Sequence, residues 1–296
     1  MPKLLVAQLV PDLRLAFDDR GLFYVNNVRV NGILPRGDNG WFLLGAMNAS
    51  VTNYIFKWLG KPKDNGFFEA NKQFIAPLPI PRADRIDRAA LTALAQGLQQ
   101  RRTRQMDERA ALEERLGDTS RPPLPLERLL PDVRPMGEIE AAAPRRIPAN
   151  ERKAWADEER RGQEESALAR IDALLRPTAE LVVMAADGAV RVAVEEVEAA
   201  RLFVALEAEP LVAAQWRAVA LDFTPTGKGD AKRLLDRLRR VALDAEPDLA
   251  AQIVALGARL AELDAVLRDD EAQLHELTCR LFRLTPEERA LVEAGR

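Results

Sequence analysis

The chain has 296 residues, with 43 Lys/Arg against 46 Asp/Glu, one His, one Cys and 47% hydrophobic residues, for a net charge of −3. One Cys excludes an internal disulfide and a Cys-based zinc site, and one His excludes a multi-His metal site. The apolar-to-charged balance excludes a disordered chain, and the length predicts two domains. The composition is uneven: of 16 Phe, Trp and Tyr, 11 fall in residues 1–81, which also carry nine Lys/Arg against six Asp/Glu. That segment is therefore +3, and residues 82–296 are −6.

The first elements are short. Lys3 to Val10 predicts a strand stopped by Pro11, and Asp18-Asp19-Arg20-Gly21 predicts a turn. Gly21 to Val25 reads as extended and leads to Val28-Arg29-Val30, with Asn31-Gly32 expected as a tight turn. A helical pattern opens at Trp41, with Leu43, Met47, Val51, Tyr54 and Trp58 on one face. Phe42, Tyr54 and Trp58 are expected in the core. Residues 60–66 read as a loop, Phe67 to Ile75 as extended, and Pro77-Leu78-Pro79-Ile80-Pro81 as a stiff exit.

Beyond that exit the chain reads as helical. A helix is predicted from Asp84, with Ile86, Ala90, Leu94 and Leu98 on one face, ending at Gly117. Residues 121–148 hold seven prolines and predict a connector, followed by a charged helix from Glu151 to Leu175. Glu180 to Met184 and Val190 to Val194 flank Asp187-Gly188 and predict a hairpin, with a helix pair expected over 197–221. The 224–230 loop lacks the spacing of a phosphate-binding Walker loop, and Asp230 is expected to cap a helix starting at Ala231. Ile253, Leu256, Leu260, Leu263, Leu267, Asp270, Leu274, Leu277, Leu281 and Leu284 form a heptad seam for another helix, from this chain or a partner. Thr285-Pro286-Glu287-Glu288 predicts a capping box. His275 and Cys279 read as packed or surface residues rather than catalytic ones. The fold class is α+β: a mixed recognition module over 1–81, charged helices and connector over 82–176, then hairpin and helical scaffold over 177–296.

The order of motifs is similar to a known family. A lead strand (Lys3 to Val10), an Asn-rich strand pair (Tyr24 to Val30), a short helix (Leu43-Leu44-Gly45-Ala46-Met47-Asn48-Ala49-Ser50) and a Leu78-Pro79-Ile80-Pro81 exit follow in turn. This set resembles the TaqI-like C-terminal specificity domain of type IIG restriction-modification enzymes and adenine-specific DNA methyltransferases. An Ala stands between Asn48 and Ser50, where the family joins Asn to Ser. The ending Leu281-Phe282-Arg283-Leu284-Thr285-Pro286-Glu287-Glu288 is similar to the same enzymes' terminal segment, with Phe282 and Arg283 replacing Tyr and Gly.

The resemblance implies sequence-specific recognition of double-stranded DNA. The chain would be the C-terminal part, or a specificity subunit, of an adenine-specific methyltransferase. Its partner would be a methyltransferase catalytic domain or subunit, and S-adenosylmethionine that partner's cofactor. Phosphate contact needs cations and base reading needs amides or guanidinium groups. The candidates are Asn26, Asn27, Arg29, Asn31 and Arg36 around the strands, and Lys57, Lys61, Lys63, Lys72 and Gln73 around the helix end and following loop. Phe67-Phe68 is a candidate for stacking on a displaced base, although strand packing is the simpler use.

No catalytic or metal residue is assigned. The only Pro-Pro, Arg121-Pro122-Pro123-Leu124, lacks the polar and aromatic neighbours of a methyltransferase loop, and no Gly-rich turn follows a strand. The chain alone is therefore expected neither to methylate nor to cut DNA. The longest uncharged stretch, Asn39 to Phe56, is too polar to span a membrane, and Met1-Pro2-Lys3-Leu4 lacks a signal-peptide core, so the chain reads as cytoplasmic. A second reading is a helical adaptor using the 253–284 seam as an intermolecular coiled coil.

Overall fold

The computed structural model describes residues 1–25, 29–37, 39–117, 122–227, 229–243 and 245–295. The elements, in order, are β1 (Lys3–Ala7), β2 (Leu9–Val10), β3 (Leu15–Asp18), β4 (Val30–Ile33), α1 (Gly40–Met47), α2 (Ser50–Leu59), β5 (Phe68–Glu69), α3 (Lys72–Ile75), α4 (Arg85–Leu116), α5 (Met136–Ala141), α6 (Arg152–Leu174), β6 (Leu181–Ala186), β7 (Ala189–Val194), β8 (Val197–Phe203), α7 (Glu209–Asp222), α8 (Asp230–Leu238), α9 (Pro247–Phe282) and α10 (Pro286–Ala294). The α+β expectation holds. The chain forms two compact units, Met1–Met106 with Glu262–Arg296, and Asp107–Ala261. This differs from a division at Pro81: residues 82–106 and the C-terminal segment join the N-terminal module in one unit.

In the first unit the sheet order is β3-β1-β4, all antiparallel. Leu4 and Val6 alternate into the core with Leu15 and Phe17 from the neighbouring strand. As an edge strand, β3 would leave the outward N–H and C=O groups of Leu15 and Phe17 unpaired. Two side-chain amides replace the missing strand. Asn48 accepts from Leu15 N (2.7 Å) and donates to Leu15 O (2.9 Å), while Gln99 does the same for Phe17 at 2.7 and 2.9 Å.

The role of Asn48 explains why the expected continuous helix is two. Asn48 ends α1, and Ala49 adopts an extended conformation before α2. The apolar face rotates at this break: Phe42, Leu44, Met47, Val51 and Phe56 are buried, whereas Tyr54 is half-buried and Trp58 is 76% exposed. Trp58 is therefore a surface residue and not a core one. Two further expectations change. Asn31-Gly32 is not a turn but the centre of β4, opposite Val6 and Leu5. Residues 67–75 are not one extended run, since β5 is followed directly by α3.

Within the same unit, residues 85–106 of α4 run antiparallel to residues 262–282 of α9. Leu91 packs with Leu274 and Leu277, so the buried face of α4 is centred on Leu91 and Ala95, while Ile86 points to solvent. Asp270, the single polar position in the seam, meets Arg101 Nε at 2.6 Å, and Arg102 pairs with Glu271 at 2.6 Å. Thr285 and Glu288 complete the capping box that starts α10.

The second unit is built on the meander β6-β7-β8. The Asp187-Gly188 hairpin forms as expected, with both residues at positive φ. The expected helix pair over 197–221 is instead a strand, β8, and one helix, α7. Glu195 and Glu196, also at positive φ, form a second two-residue turn that returns the chain onto β7. The Ala-rich run Ala199-Ala200 suits a helix by propensity, but as a strand it completes a sheet whose inner face joins Val190, Val192, Val194 and Trp216.

Leu129, Leu130 and Val133 of the connector are part of that core, and Leu129 O accepts from Arg201 N on β8 at 2.8 Å. The seam continues here too. Ile253, Leu256 and Leu260 are buried with Leu112 of α4, and Arg259 pairs with Glu108 at 2.9 Å. Asp230 is the first residue of α8 and is fully buried rather than an N-cap. Its carboxylate accepts from Thr226 N and Gly227 N at 2.7 and 2.6 Å.

Candidate nucleic-acid interface

The sequence candidates separate into three groups. Asn26 and Asn27 lie outside the described residues. Lys57 and Lys63 are engaged in ion pairs, to Asp12 at 2.8 Å and to Glu69 at 2.5 Å. Asp12 also accepts from Asn53 Nδ2, and Asn53 Oδ1 accepts from Leu13 N, so Lys57 completes a polar fastener between α2 and the β2–β3 connection. The hydrogen bond from Lys63 holds the Glu69 carboxyl below the usual range against a desolvation that would raise it. Both lysines do structural tasks, and their spacing beside a loop gave no sign of it.

The remaining candidates are Arg29, Asn31, Arg36, Lys61, Lys72 and Gln73. Gln8, between β1 and β2, links Arg29 to Ala70. Its N–H donates to Arg29 O and its carbonyl accepts from Ala70 N, both at 2.7 Å. Asn31 Nδ2 donates to Ala70 O at 3.0 Å, and Lys61 O accepts from Glu69 N at 3.2 Å. The Lys61 main chain and the Asn31 side chain thus meet Glu69-Ala70 directly, and the Arg29 main chain meets it through Gln8, just before Lys72 and Gln73. Arg29, Lys61, Lys72 and Gln73 have exposed side chains, whereas Asn31 is half-buried, with its amide nitrogen spent on Ala70. Arg36 is exposed, and its carbonyl accepts from Asn39 Nδ2 at 2.8 Å.

Sequence reasoning missed the largest feature of this surface. Leu22, Phe23, Tyr24 and Val25, read as extended, form no strand, and Tyr24 is 93% exposed. Four consecutive apolar residues cannot alternate between core and solvent. That break in period was the available signal. Phe68 is half-buried against Phe56 at 6.1 Å between ring centres, which is strand packing and not a free stacking face.

Elsewhere in this unit His275 is buried. Ser50 Oγ lies 2.5 Å from His275 Nδ1, and Glu293 Oε1 lies 3.3 Å from Nε2. Burial pushes the Cys279 thiol up, so it stays protonated and unreactive at neutral pH. Among the described residues there is no group of three or more His, Cys, Asp or Glu that could hold a metal ion, and no helix long and apolar enough to cross a membrane. Comparison with protein-family models, with curated proteins and with solved structures finds no match to this chain.

Proposed function

We propose that the first unit recognises double-stranded DNA, and that the chain serves as the C-terminal part or specificity subunit of an adenine-specific DNA methyltransferase of the type IIG kind. The catalytic domain and its S-adenosylmethionine would then belong to the partner. The observation that carries the reading is the convergence of Arg29, Asn31, Lys61, Lys72 and Gln73 about Gln8 and Ala70. Cations there can hold phosphates, and Gln73 and Arg29 carry the donor patterns that read base edges. The ordered motifs of the TaqI-like specificity domain support the same reading. The alternative of an intermolecular coiled coil is disfavoured because Ile253, Leu256, Leu260, Leu263, Leu267, Leu274 and Leu277 are already buried within the chain.

Binding of the full chain to a pool of randomised duplexes, titrated with salt, tests this. Retention is expected to fall linearly on a log–log plot, and Lys61→Gln with Lys72→Gln is expected to reduce the slope by about 2. Lys57→Gln should leave the slope unchanged, since its charge is spent on Asp12. No retention at low salt would sink the proposal. A methyltransferase encoded beside this reading frame is the expected partner.

A further inference from the structure

The connection from β3 to β4 presents an apolar tip. Leu22 is 66% exposed, Phe23 64% and Tyr24 93%, with exposed Val30 and Leu34 in and after β4. Consecutive apolar side chains exposed on a surface are a binding feature when the backbone beneath them is built to hold them out. Here it is. The Asp18 carboxylate accepts from Leu22 N at 2.8 Å and Phe23 N at 3.0 Å, and pairs with Lys3 Nζ at 2.6 Å. Gly21 turns the chain at φ +68°, and a Cβ there would lie 2.2 Å from Met1 N, so the turn admits only glycine unless the N-terminal backbone moves. Past the tip, Val25 lies against Gly32 of β4.

Charge selects the partner. Three of the six acids in residues 1–81, Asp12, Asp18 and Glu69, are paired with Lys57, Lys3 and Lys63. Setting those pairs and Arg29 aside, the module carries Arg14, Arg20, Arg36, Lys61 and Lys72 against Asp19, Asp38 and Asp64. Arg20 lies on the same connection, two residues before Leu22, and Arg36 follows β4. An apolar tip on a module with excess cations matches flat bases between phosphates better than it matches an apolar protein surface, which would leave Arg20 and Arg36 to be desolvated without anions.

We propose that Leu22, Phe23 and Tyr24 form a wedge that enters the base stack of duplex DNA. This rests on the DNA-recognition reading above. Apolar side chains inserted at a base step unstack and kink the duplex while the flanking cations hold the backbone. The wedge separates neighbouring pairs and untwists the helix locally, so a bound plasmid loses linking number when a nick is sealed.

The test uses the full chain, a nicked plasmid and DNA ligase at low salt, with retention of the same plasmid measured in parallel. The wild-type chain is expected to retain the plasmid and lower the linking number of the sealed product. Phe23→Ala with Tyr24→Ala is expected to retain it while abolishing the change. Retention with no change in linking number by the wild type overturns the wedge and leaves DNA recognition standing. An equal change with the double variant overturns the assignment to this tip. No retention overturns both readings and leaves the tip to a protein partner. Both residues are solvent-exposed, and an unaltered thermal melting profile of the variant confirms that the fold is not what was lost.

Discussion

The two three-stranded sheets of this chain are joined in opposite ways. In the second unit, β6 meets β7 and β7 meets β8 through turns of two residues, Asp187-Gly188 and Glu195-Glu196, all at positive φ. Those turns fit the twist of antiparallel neighbours and leave no residue to spare. In the first unit β3 and β4 lie on either side of β1, so the chain between them must cross a strand. Two inter-strand spacings are about 10 Å, which no two-residue turn spans. Topology therefore requires a long connection over residues 19–29. It does not require that connection to be apolar. A crossing segment is ordinarily polar because it faces water, and the excess of Leu22, Phe23, Tyr24 and Val25 over that expectation is the feature on which the proposed wedge rests.

If the contrast is sound, the aromatic residues of the two units should respond differently to removal. The largest effect is expected at Trp216, which is fully buried against the inner face of the second sheet and donates from Nε1 to Leu238 O at 2.9 Å. Trp216→Ala should cost about 3–5 kcal/mol through lost transfer energy and the cavity left behind. Equilibrium denaturation would show this as a lower midpoint. A loss under 1 kcal/mol would mean that the sheet is not anchored through this helix.

Next comes the anchor of the long connection. Asp18 is depressed from its ordinary 3.8 to about 2. Desolvation pushes upward, and the Lys3 hydrogen bond and the backbone N–H groups of Phe23 and Leu22 outweigh it. A depressed carboxylate contributes stability that is fully present above its unfolded value and is lost as pH falls through the folded one. Stability of the wild type should therefore decline between about pH 4 and pH 2. Asp18→Asn should be weaker at pH 6 and lack this part of the decline. Denaturation midpoints at pH 6, 4 and 2.5 for both proteins would decide it, and parallel curves would remove Asp18 from the argument.

Much of this contrast could be read from the sequence, and the rest could not for reasons that individual residues show. Asp187-Gly188 and Thr285-Pro286-Glu287-Glu288 were legible because each local pattern has one stable geometry. Asn31-Gly32 carries a similarly strong local signal and was misread, because tertiary pairing with Val6 and Leu5 outweighs turn preference. Glu195-Glu196 is the converse, a turn whose residues announce nothing, so the β8 residues read as helix. The candidate site was half visible. Exposed cations can be guessed from type, but the pairing of Lys57 with Asp12 and Lys63 with Glu69 depends on contacts 45 and 6 residues apart that no spacing rule supplies. Asn48 was noted as a motif residue, but its function, pairing with the edge of β3, needed the strand to be seen.

Smaller effects sharpen the comparison at the turns. Gly188 sits at φ +74°, and a Cβ there would meet Val204 O at 3.1 Å, so Gly188→Ala should destabilise by about 1 kcal/mol. Thr285→Ala, which removes the capping bond to Glu288 N, should also cost about 1 kcal/mol. Calorimetry on each would show a modest downward shift, and no shift at Gly188 would mean that the tight hairpin is less constrained than its geometry implies.

The smallest expected effect is the most informative. Tyr24→Ala removes a ring that is 93% exposed, and a surface substitution of this kind shifts stability by no more than about 0.5 kcal/mol. Set beside Trp216→Ala, it separates two uses of an aromatic side chain in one protein: one gives the fold its core, and the other adds nothing to the folded chain. A measured loss of 2 kcal/mol at Tyr24 would show that the tip packs against the protein in solution, and the surface offered to DNA would then not exist. A loss near zero leaves the ring without an internal purpose. Its place on a connection anchored by Asp18, Lys3 and Gly21 then agrees with the proposed contact to DNA.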